Sequence, residues 1–390
     1  MGHIQINNSY NLLDGYRIFI SIGGSISSYR TPDIVRDLRR EGAEVHCILS
    51  QSAEKMIGEQ ALEWASGNPV IRELTGKMEH ITLLENRDKR NVLLMCPATY
   101  NQIGKIANGI ADGVSETFFS NALGMKIPIV IVPAMHLEMY RNPIITRNLK
   151  ILKEVGVSVV EPRIEDGKAK IMWSEEIIDT ILQKEENQKS VLIISGMSEV
   201  KIDPVRSLSN RSSGFTGISL ARAAKRSGFH RIVYLGNSIY RIPLYCEWIK
   251  ACDVEDFYSK TVGILEKEQF DYIIIPAALS DFKFEAYKKK IQSTSELTIN
   301  LEPREKLVNA ILEKTRSWKK KPRIIRFKLG DEDFTPDSDI DYITILNLVS
   351  DDPFRESTNR YSIFKGRERI MNKIMNKIEL ADFIIREMQT

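Results

Sequence analysis

Short runs of β-branched residues alternate with helix-length amphipathic stretches along the chain, and this alternation limits the fold more than any other feature. The early runs predict strands at residues 17–22, 44–49, 92–95 and 127–132. The stretches between them have the periodicity of helices, at residues 31–40, 100–110 and 145–155. Such an order is typical of βαβ units, which build a mainly parallel sheet covered by helices. We therefore predict an α/β fold.

The alternation is interrupted once and then starts again. Residues 184–189 read KEENQK, a polar stretch without an apolar anchor, and we predict an interdomain linker at 184–190. With 390 residues, the chain is also longer than one ordinary hydrophobic core supports. We therefore expect two tandem Rossmann-like parallel-sheet domains, at residues 1–183 and 191–390.

The second half carries its own series of predicted elements. Strands are expected at residues 191–195, 231–236, 272–276, 297–301, 323–328 and 342–346. Helices are expected at residues 217–226, 254–268 and 305–316. A long polar loop at 281–295 and an amphipathic tail at 367–388 complete the pattern.

Charge and composition argue against several classes of protein. The 55 Lys and Arg residues against 52 Asp and Glu give a net charge of +3, too small to favour nucleic acid or an anionic membrane as the main partner. No apolar run approaches the ~18 residues of a membrane helix, and the start lacks the order of a signal peptide. The four cysteines form no C-x-x-C pair, and Cys47 and Cys96 lie in apolar runs, which favours buried thiols in a reducing cytoplasm.

Polar and glycine residues follow three strands of the first half. Gly23, Gly24 and Ser25 come after the first strand, where a tight turn before a helix suits a phosphate, although Gly-Gly after a strand is as often only a turn. The strand at 92–95 is closed by a segment that reads CPATYN, and the strand at 127–132 ends in PAMHLEMY. Together these segments predict a binding site at one edge of the sheet.

Residues 16–180 resemble the flavin-containing cysteine decarboxylases, in particular the phosphopantothenoylcysteine decarboxylases, which carry x-P-A-T-x-N and P-x-M-N-x-x-M-W/Y segments. The resemblance implies an FMN cofactor and a catalytic His80, whose unperturbed pKa suits a base at neutral pH; a lone histidine is otherwise usually structural. It also implies substrate contacts from His136 and Met139. The flavin contacts that it implies come from Gly23, Gly24, Ser25, Ser50, Pro97, Ala98, Thr99 and Asn101.

Two positions depart from that family. His136 stands where the family has the asparagine that holds the substrate carboxylate, although a histidine can also donate a hydrogen bond. The family's glycine-rich lid carries a cysteine that protonates the enethiol intermediate, whereas residues 165–172 read EDGKAKIM without a cysteine. Either Lys168 or Lys170 takes over as the acid, or the final reduction stalls.

A second set of motifs lies beyond residue 191. The segment IDPVRSLSNRSSG at 202–214 leads into a helix and contains Arg206 and Asn210, a combination that suits an anion, although it also fits a serine-rich loop with a helix cap. Residues 276–281 read PAALSD and end a strand. Lys290 closes a run of three lysines, a pattern that usually marks a solvated surface.

These motifs resemble phosphopantothenate–cysteine ligase, whose pattern is I-D-x-V-R-x-x-S-N-x-S-S-G, then A-A-x-x-D-F/Y, then K-I-x-K/S. The resemblance implies that Asn210 and Lys290 are catalytic and that Arg206 and Asn210 bind the phosphopantothenate. It implies nucleotide contacts from Ala277, Ala278, Asp281, Lys290 and Phe327. It also implies Mg²⁺ and a nucleotide, CTP rather than ATP, although the shortened segment after Phe327 differs from the family.

Fusion of these two enzymes is a known architecture in coenzyme A biosynthesis. We therefore expect a cytoplasmic enzyme that uses CTP to join 4′-phosphopantothenate to cysteine and then decarboxylates the product with FMN, as a trimer-based homo-oligomer up to a dodecamer. Two alternatives stay open: a ligase with an inactive flavin domain, and a non-catalytic regulatory relative. An NAD-linked dehydrogenase is disfavoured because G-x-G-x-x-G is absent.

Overall fold

Two central sheets organise the chain, one in the first unit, Ile6–Leu182, and one in the second unit, Gln183–Thr390. The computed structural model describes residues 11–86, 88–292, 297–331, 334–336, 342–349 and 358–389. The predicted α/β class with two tandem parallel-sheet domains is confirmed. In the described residues no helix is both long enough and apolar enough to cross a membrane.

The first unit alternates strands and helices from its start. Its strands are β1 (Tyr16–Ile22), β2 (Glu44–Leu49), β3 (Arg90–Ala98), β4 (Ile129–Pro133), β5 (Met135–His136), β6 (Ser158–Val159), β7 (Arg163–Glu165) and β8 (Lys168–Lys170). After a 3₁₀ helix at Ile26–Arg30, its helices are α1 (Thr31–Arg40), α2 (Glu59–Ser66), α3 (Glu79–Glu85), α4 (Tyr100–Ala107), α5 (Val114–Gly124), α6 (Leu137–Tyr140), α7 (Pro143–Glu154) and α8 (Ser174–Ile181).

The sheet of the first unit is parallel, in the order β2-β1-β3-β4-β6, with apolar side chains on both faces. On β1, Ile18 and Ile20 pack on the side of α1, α2 and α8, and Phe19 packs on the side of α4, α5 and α7. Burial on both faces explains the nearly continuous apolar strands. Because the order reverses between β1 and β3, their carboxyl ends border a crevice suited to a ligand.

A buried ion pair ties the amino ends of β1 and β2 together. Arg17 donates to Glu44 at 2.8 Å, and Glu44 also receives hydrogen bonds from Lys89 and His46 at 2.7 Å each. The Arg17 side chain is 7% exposed and that of Glu44 27% exposed. Principally because of Arg17, and despite partial burial, the pKa of Glu44 lies well below its usual value.

We expect Glu44→Gln to lower the free energy of unfolding of the first unit by about 1–3 kcal/mol at neutral pH. Because the folded-state pKa is depressed, this stabilisation is present above the unfolded-state pKa of about 4.3 and is lost as the pH falls toward the folded value. Urea unfolding followed by circular dichroism should therefore show a difference at pH 7 that shrinks in acid. Glu85→Gln, at an exposed position, is the control; a pH-independent difference would contradict the assignment.

The second unit follows the same alternation but ends differently. Its strands are β9 (Asn187–Ser195), β10 (Glu199–Lys201), β11 (Ser207–Ser209), β12 (Phe229–Gly236), β13 (Glu247–Lys250), β14 (Tyr272–Ile275), β15 (Phe282–Lys283), β16 (Glu302–Pro303), β17 (Arg323–Gly330), β18 (Ile343–Leu348), β19 (Thr358–Lys365) and β20 (Glu368–Asn376). Its helices are α9 (Phe215–Arg226), α10 (Val254–Leu265), α11 (Leu307–Thr315) and α12 (Lys377–Glu387).

The main sheet of this unit has the order β13-β12-β9-β14-β17-β18-β19-β20. It is parallel from β13 to β18, and β19 and β20 add an antiparallel edge. Helices α9 and α12 cover one face, and α10 and α11 cover the other. The order reverses between β9 and β14, so the site-forming edge is again the carboxyl end of the central strands.

Three sequence predictions in this unit are corrected. The tail predicted at 367–388 divides into β20 and α12, because β20 pairs with β19. Residues 297–301 do not form the predicted strand; Leu297 and Leu301 are 41% and 42% exposed, and only the following Glu302–Pro303 pairs, with β15. The strand β9 begins inside the predicted linker, since Asn187 donates to the Gly228 carbonyl at 2.7 Å.

Candidate functional site

The first unit contains a cavity of about 770 Å³ at the carboxyl edge of its sheet. It is lined by residues from the loops after β1, β2, β3 and β4 and from β8. The predicted flavin and substrate residues that line it are Gly24, Ser25, Ser50, Thr99, Asn101, His136 and Met139. Gly23, Pro97 and Ala98 are buried and lie outside this lining, next to the loops that form it.

The loop after β1 packs so closely against neighbouring segments that a residue with a side chain does not fit in place of its glycines. A Cβ built on Gly24 would lie 2.4 Å from the Ser52 hydroxyl oxygen and 2.9 Å from the Ser52 carbonyl carbon. Gly23 donates its N–H to the Pro97 carbonyl at 3.0 Å, and Ser50 Oγ donates to the Ile22 carbonyl at 2.9 Å. These bonds join the ends of β1, β2 and β3 into one wall of the cavity.

The loop after β3 is organised by a helix cap. Thr99 Oγ1 accepts the Gln102 N–H at 3.3 Å, and Gln102 Oε1 accepts the Thr99 N–H at 3.2 Å, so the two residues form a capping box for α4. Gln102 lines the cavity, and its Nε2 is buried with no hydrogen-bond partner in the described structure. A buried amide donor without a partner is costly unless a ligand accepts from it. The sequence analysis missed Gln102, although the x-P-A-T-x-N segment directly precedes it.

The hairpin of β7 and β8 lies across the site from these loops. Its strand β8 pairs with β5, so that Lys168 is the register partner of His136 and Ala169 that of Met135. Lys168, Ala169 and Lys170 all line the cavity. The segment that replaces the family's lid is therefore part of the cavity wall.

The two lysines of β8 differ in their partners. Lys170 bonds to Asp166 at 2.7 Å and to Glu165 at 3.3 Å, and the Asp166 contact in particular raises the pKa of Lys170 above its usual value. The Lys168 side chain has no hydrogen bond or ion pair with any residue that the structure describes. Lys168 is therefore the lysine whose ammonium group is available to a ligand.

No cysteine replaces the missing lid residue in the described lining. Cys47 and Cys96 are buried, as predicted, and burial raises the pKa of each thiol to about 12. Both therefore stay protonated at neutral pH and are far too weakly acidic to serve as proton donors there.

His80 is not among the residues that line the cavity in its own chain. It lies in the first turn of α3. Its ring packs edge to face against Phe118 with 6.4 Å between the ring centroids, and its backbone carbonyl accepts a hydrogen bond from the Asn121 side chain. Its Nδ1 is buried and has no hydrogen-bond partner among the described residues. The sequence-predicted base is thus separated, within one chain, from the sequence-predicted flavin residues.

The residues present fit a flavin phosphate. The close-packed glycine loop exposes backbone next to several serine hydroxyls, the Gln102 amide lacks a partner, and the first turn of the adjacent 3₁₀ helix has no acidic residue. A phosphate needs N–H and O–H donors, which this loop supplies; the two acidic residues of the lining, Asp112 and Glu116, come from the segment between α4 and α5 and from the first turn of α5.

We expect Gly24→Ala to weaken FMN binding by about tenfold to a hundredfold, because the added methyl must displace the Ser52 backbone. Titration of apoprotein with FMN, followed by flavin fluorescence, measures the change. Gly76→Ala is the matched control in the same unit, because a Cβ there meets nothing within 4 Å. Equal FMN affinity in both variants would contradict the placement of the phosphate.

The second unit has a cavity of about 550 Å³ at the carboxyl ends of β9, β14 and β17 and the start of α9. Four of the residues predicted to bind the nucleotide or the phosphopantothenate line it, namely Asn210, Ala277, Ala278 and Phe327. Asn347 and Asn359, from β18 and β19, contribute to the opposite wall.

The turn after β9 depends on one glycine and one asparagine. Gly196 has a φ of +115°, and a Cβ there would lie 2.3 Å from the Asn237 carbonyl oxygen. The Asn237 side chain accepts from the Met197 N–H at 3.1 Å and donates to the carbonyls of Met197 and Ala251 at 2.8 and 2.7 Å. Asn237, which the sequence analysis did not single out, therefore fixes the chain segments around the cavity. In the sequence, only its position directly after a predicted strand indicated a role for Asn237 at the site.

Asn210 joins two walls of this cavity. Its Nδ2 donates to the Leu279 carbonyl at 2.9 Å, which connects the segment before α9 to the segment after β14. The Ala278 N–H in turn bonds to the Gly196 carbonyl at 2.9 Å. The first two ligase motifs, distant in sequence, are thus in direct contact.

The third motif is anchored to the first by Asp203. Its buried carboxylate accepts from the N–H groups of Val205 and Arg206 at 2.7 and 2.8 Å, from the Ile291 N–H at 3.1 Å and from the Arg206 guanidinium at 3.1 Å. Burial alone would raise the pKa of Asp203, but the three backbone donors hold it below its usual value. Ile291 directly follows Lys290, so this anchor fixes one side of the lysine-bearing loop.

Arg206, Asp281 and Lys290 do not line the cavity in the described part of the chain. Arg206 donates to the Ile291 carbonyl at 3.2 Å, which places it beside the Lys290 loop. Asp281 is exposed, and its carbonyl accepts from the Arg304 N–H at 2.8 Å. The last residue of the K-I-x-S motif, Ser293, lies outside the described residues, as does Glu332.

The charged side chains in the described lining of the second cavity are all positive. Its described lining includes Arg211, Lys328 and Lys377 but no aspartate or glutamate. Among the described residues no cluster of three or more His, Cys, Asp or Glu side chains could hold a metal ion. These side chains suit an anion, and they do not fit a Mg²⁺ site built from protein carboxylates.

Two sequence-family models match the chain. One, described as flavoprotein, matches residues 6–186, and the other, described as DNA/pantothenate metabolism flavoprotein C-terminal domain, matches residues 186–390. A coenzyme A biosynthesis bifunctional protein of Thermococcus kodakarensis is 38% identical over 77% of this chain and 76% of its own length. The protein of the same name from Methanocaldococcus jannaschii is 37% identical over 81% of this chain and 77% of its own.

Among solved structures, the FMN-dependent cysteine decarboxylase SpaF is similar to this chain at 26% identity with a TM-score of 0.39. The similarity covers 44% of this chain and 97% of that one.

Proposed function

The chain belongs to the family of coenzyme A biosynthesis bifunctional proteins, and on this basis we propose that it catalyses two successive reactions. Residues 191–390 join 4′-phosphopantothenate to cysteine, and residues 1–183 decarboxylate the product to 4′-phosphopantetheine. The observation that carries this proposal is the pair of cavities, each formed by the loops that the two sets of motifs predicted. The enzyme acts in the cytoplasm.

In the ligase half, the carboxylate of 4′-phosphopantothenate attacks the α-phosphorus of CTP. A bond forms between the carboxylate oxygen and phosphorus, and pyrophosphate leaves. The cysteine amine then attacks the acyl carbon, CMP leaves, and the amine loses a proton. Negative charge moves in both steps, so cations and backbone N–H groups near the phosphates lower both barriers. The carboxylate-free lining and the start of α9 supply such an environment.

Individual residues have distinct roles in this half. Asn210 holds the acyl-nucleotide, Arg206 contacts the phosphopantothenate, and Lys290, carried by the loop that Asp203 anchors, stabilises the transferring group. Ala277, Ala278, Asp281 and Phe327 contact the nucleotide. Mg²⁺ enters with the triphosphate, because the described cavity offers it no carboxylate ligand.

In the decarboxylase half, FMN is held by Gly24, Ser25, Ser50, Thr99 and Asn101, with Gly23, Pro97 and Ala98 supporting their loops. When bound, FMN supplies reversible oxidation of the cysteinyl unit, so no net oxidant is consumed. His136 receives the substrate carboxylate, and Met139 packs beside it. A cysteinyl oxidised at its β-carbon loses CO₂ readily, so the chief task of these side chains is to orient the substrate.

The position of His80 supports a site completed by a second copy of the chain. Its side chain is only half-buried and lies outside the cavity lining of its own chain. In a trimer, or an assembly of trimers up to a dodecamer, His80 of one copy faces the flavin cavity of the next and acts there as the base.

Lys168 supplies the proton that the family's lid cysteine provides elsewhere. It lines the cavity next to His136, its register partner, and has no described ion pair, whereas Lys170 is held by two carboxylates. Its Nζ–H protonates the enethiol carbon and regains the proton from solvent.

Two assays of the purified full-length protein test both halves. The first follows pyrophosphate release and its dependence on 4′-phosphopantothenate, CTP and ATP. We expect release only when acceptor and nucleotide are both present, with CTP preferred. The second follows CO₂ and 4′-phosphopantetheine formed from phosphopantothenoylcysteine. No pyrophosphate under the first set of conditions would refute the ligase, and a preference for ATP would refute the choice of CTP.

A second candidate is a ligase whose flavin domain is catalytically inactive. It is favoured by the absence of a cysteine from the described cavity lining. Protein with bound flavin that releases neither CO₂ nor 4′-phosphopantetheine would establish this candidate in place of the bifunctional enzyme.

A further inference from the structure

Lys377 is the first residue of α12 and lines the ligase cavity, although no sequence motif pointed to it. The preceding Asn376 caps the helix by accepting the N–H groups of Ile378 and Glu379, both at 2.9 Å. This cap fixes the start of the helix and therefore the origin of the Lys377 side chain. Gly214, Phe215 and Thr216, at the start of α9, line the same cavity.

The Lys377 ammonium group has no acidic partner in the part of the chain that the structure describes. The nearest acid in sequence, Glu379, closes the capping box by accepting the Asn376 N–H at 3.0 Å. Asp382, one turn further along α12, pairs with Arg226 at 2.6 Å. No carboxylate lines the described cavity, so nothing there competes for the ammonium group.

Two physical effects oppose a lysine at this position in the ligand-free protein. The start of a helix carries a partial positive charge that repels a cation. Lys377 is also half-buried, and this loss of hydration lowers its pKa below the usual value, with no opposing charge to restore it. A bound anion would offset both effects.

We infer that the Lys377 ammonium group binds a phosphate of the ligase substrates, the triphosphate of the nucleotide in the first instance. The nucleotide is favoured over 4′-phosphopantothenate because Lys377 shares its cavity with the start of α9, where the backbone N–H groups of a helix end also attract phosphate. This inference rests on the proposed ligase activity and adds to it a residue that the motifs do not contain.

The test measures binding to the full-length protein by isothermal titration calorimetry, with CTP in one arm and 4′-phosphopantothenate in the other. Lys377→Gln removes the charge, and Lys377→Arg keeps it. The control, Lys319→Gln, removes the same charge from an exposed position near the amino end of β17, at the opposite edge of the sheet. Circular dichroism shows whether each variant is folded.

We expect Lys377→Gln to weaken CTP binding by about tenfold to a hundredfold, and Lys377→Arg to restore most of it. Lys319→Gln should bind like the wild type. A loss confined to the 4′-phosphopantothenate arm would support the phosphate contact and move it to the acceptor substrate.

Three results would overturn the inference or its premise. If Lys377→Gln bound both ligands with the wild-type affinity, a contact of Lys377 with either CTP or 4′-phosphopantothenate would be excluded. A folded Lys377→Arg that binds as weakly as Lys377→Gln would show that the charge is not what matters. Wild-type protein that binds neither ligand would instead refute the ligase proposal, so the two failures are distinguishable.

Discussion

Replacing His80 by asparagine is expected to lower the rate of decarboxylation by about 10²–10⁴-fold, the usual contribution of a positioned acid–base group, while the purified protein keeps its flavin. Flavin retention follows from the structure, since none of the residues that line the cavity is His80 or its contact Phe118. The fold should also survive, because the backbone carbonyl of residue 80 and not its ring accepts from Asn121.

The measurement is CO₂ release from phosphopantothenoylcysteine, with the visible absorption of the flavin recorded on the same sample. His230→Asn is the matched control, because His230 is exposed and lies in the second unit. Ligation should be unaffected in both variants. If His80→Asn loses its flavin, His80 is a structural residue, and if it decarboxylates at the wild-type rate, the base lies elsewhere.

The sequence predicted best those elements whose burial is decided locally. The strand at 44–49 and the helix at 31–40 were predicted with their observed bounds, because a parallel strand covered on both faces is mostly apolar and an amphipathic helix shows its period. Residues 297–301 alternate like a strand as well, yet they pair with no strand that the structure describes, and pairing with β15 begins only at Glu302. Alternation indicates that a segment can pair, not that a partner is present.

The C-terminal tail shows a second limit. In β20, Ile370, Met371, Ile374 and Met375 repeat with a helix-like spacing, but the preceding β19 offers a free antiparallel edge, and that tertiary contact decides the outcome. The undivided tail therefore concealed the start of α12. Asn376 and Glu379 have the spacing of a capping box. Had this pattern been recognised in the sequence, it would have predicted that a helix begins at Lys377.

Site residues were predictable where the backbone itself forms the site. Gly24 and Ser25, and likewise Ala277 and Ala278, follow central strands, so topology alone brings them to the cavities. His80 and Lys290 are not among the described residues that line the cavities of their own chain, so topology alone does not bring them there. Asn237 bonds to backbone groups distant in sequence, and Gln102 has a buried amide nitrogen without a partner among the described residues; the residue type at one position reveals neither property.

The other large effect is expected at Lys290. We expect Lys290→Gln to lower the rate of complete ligation by about 10²–10³-fold, the usual loss when one preorganised charge is removed from a transition state. Acyl-nucleotide formation should persist, since the cavity lining that receives the nucleotide is intact. The variant should therefore release pyrophosphate and accumulate an acyl-cytidylate that mass spectrometry detects, while phosphopantothenoylcysteine forms slowly.

The structure supplies a control for this experiment. Lys288 and Lys289 carry the same charge on the same exposed loop, but only Lys290 is adjacent to Ile291, whose N–H and carbonyl are held by Asp203 and Arg206. If charge on the loop were sufficient, Lys288→Gln would lower ligation as much as Lys290→Gln. Because the anchor gives position to Lys290 in particular, Lys288→Gln should ligate like the wild type, and equal losses in the two variants would contradict a positioned role.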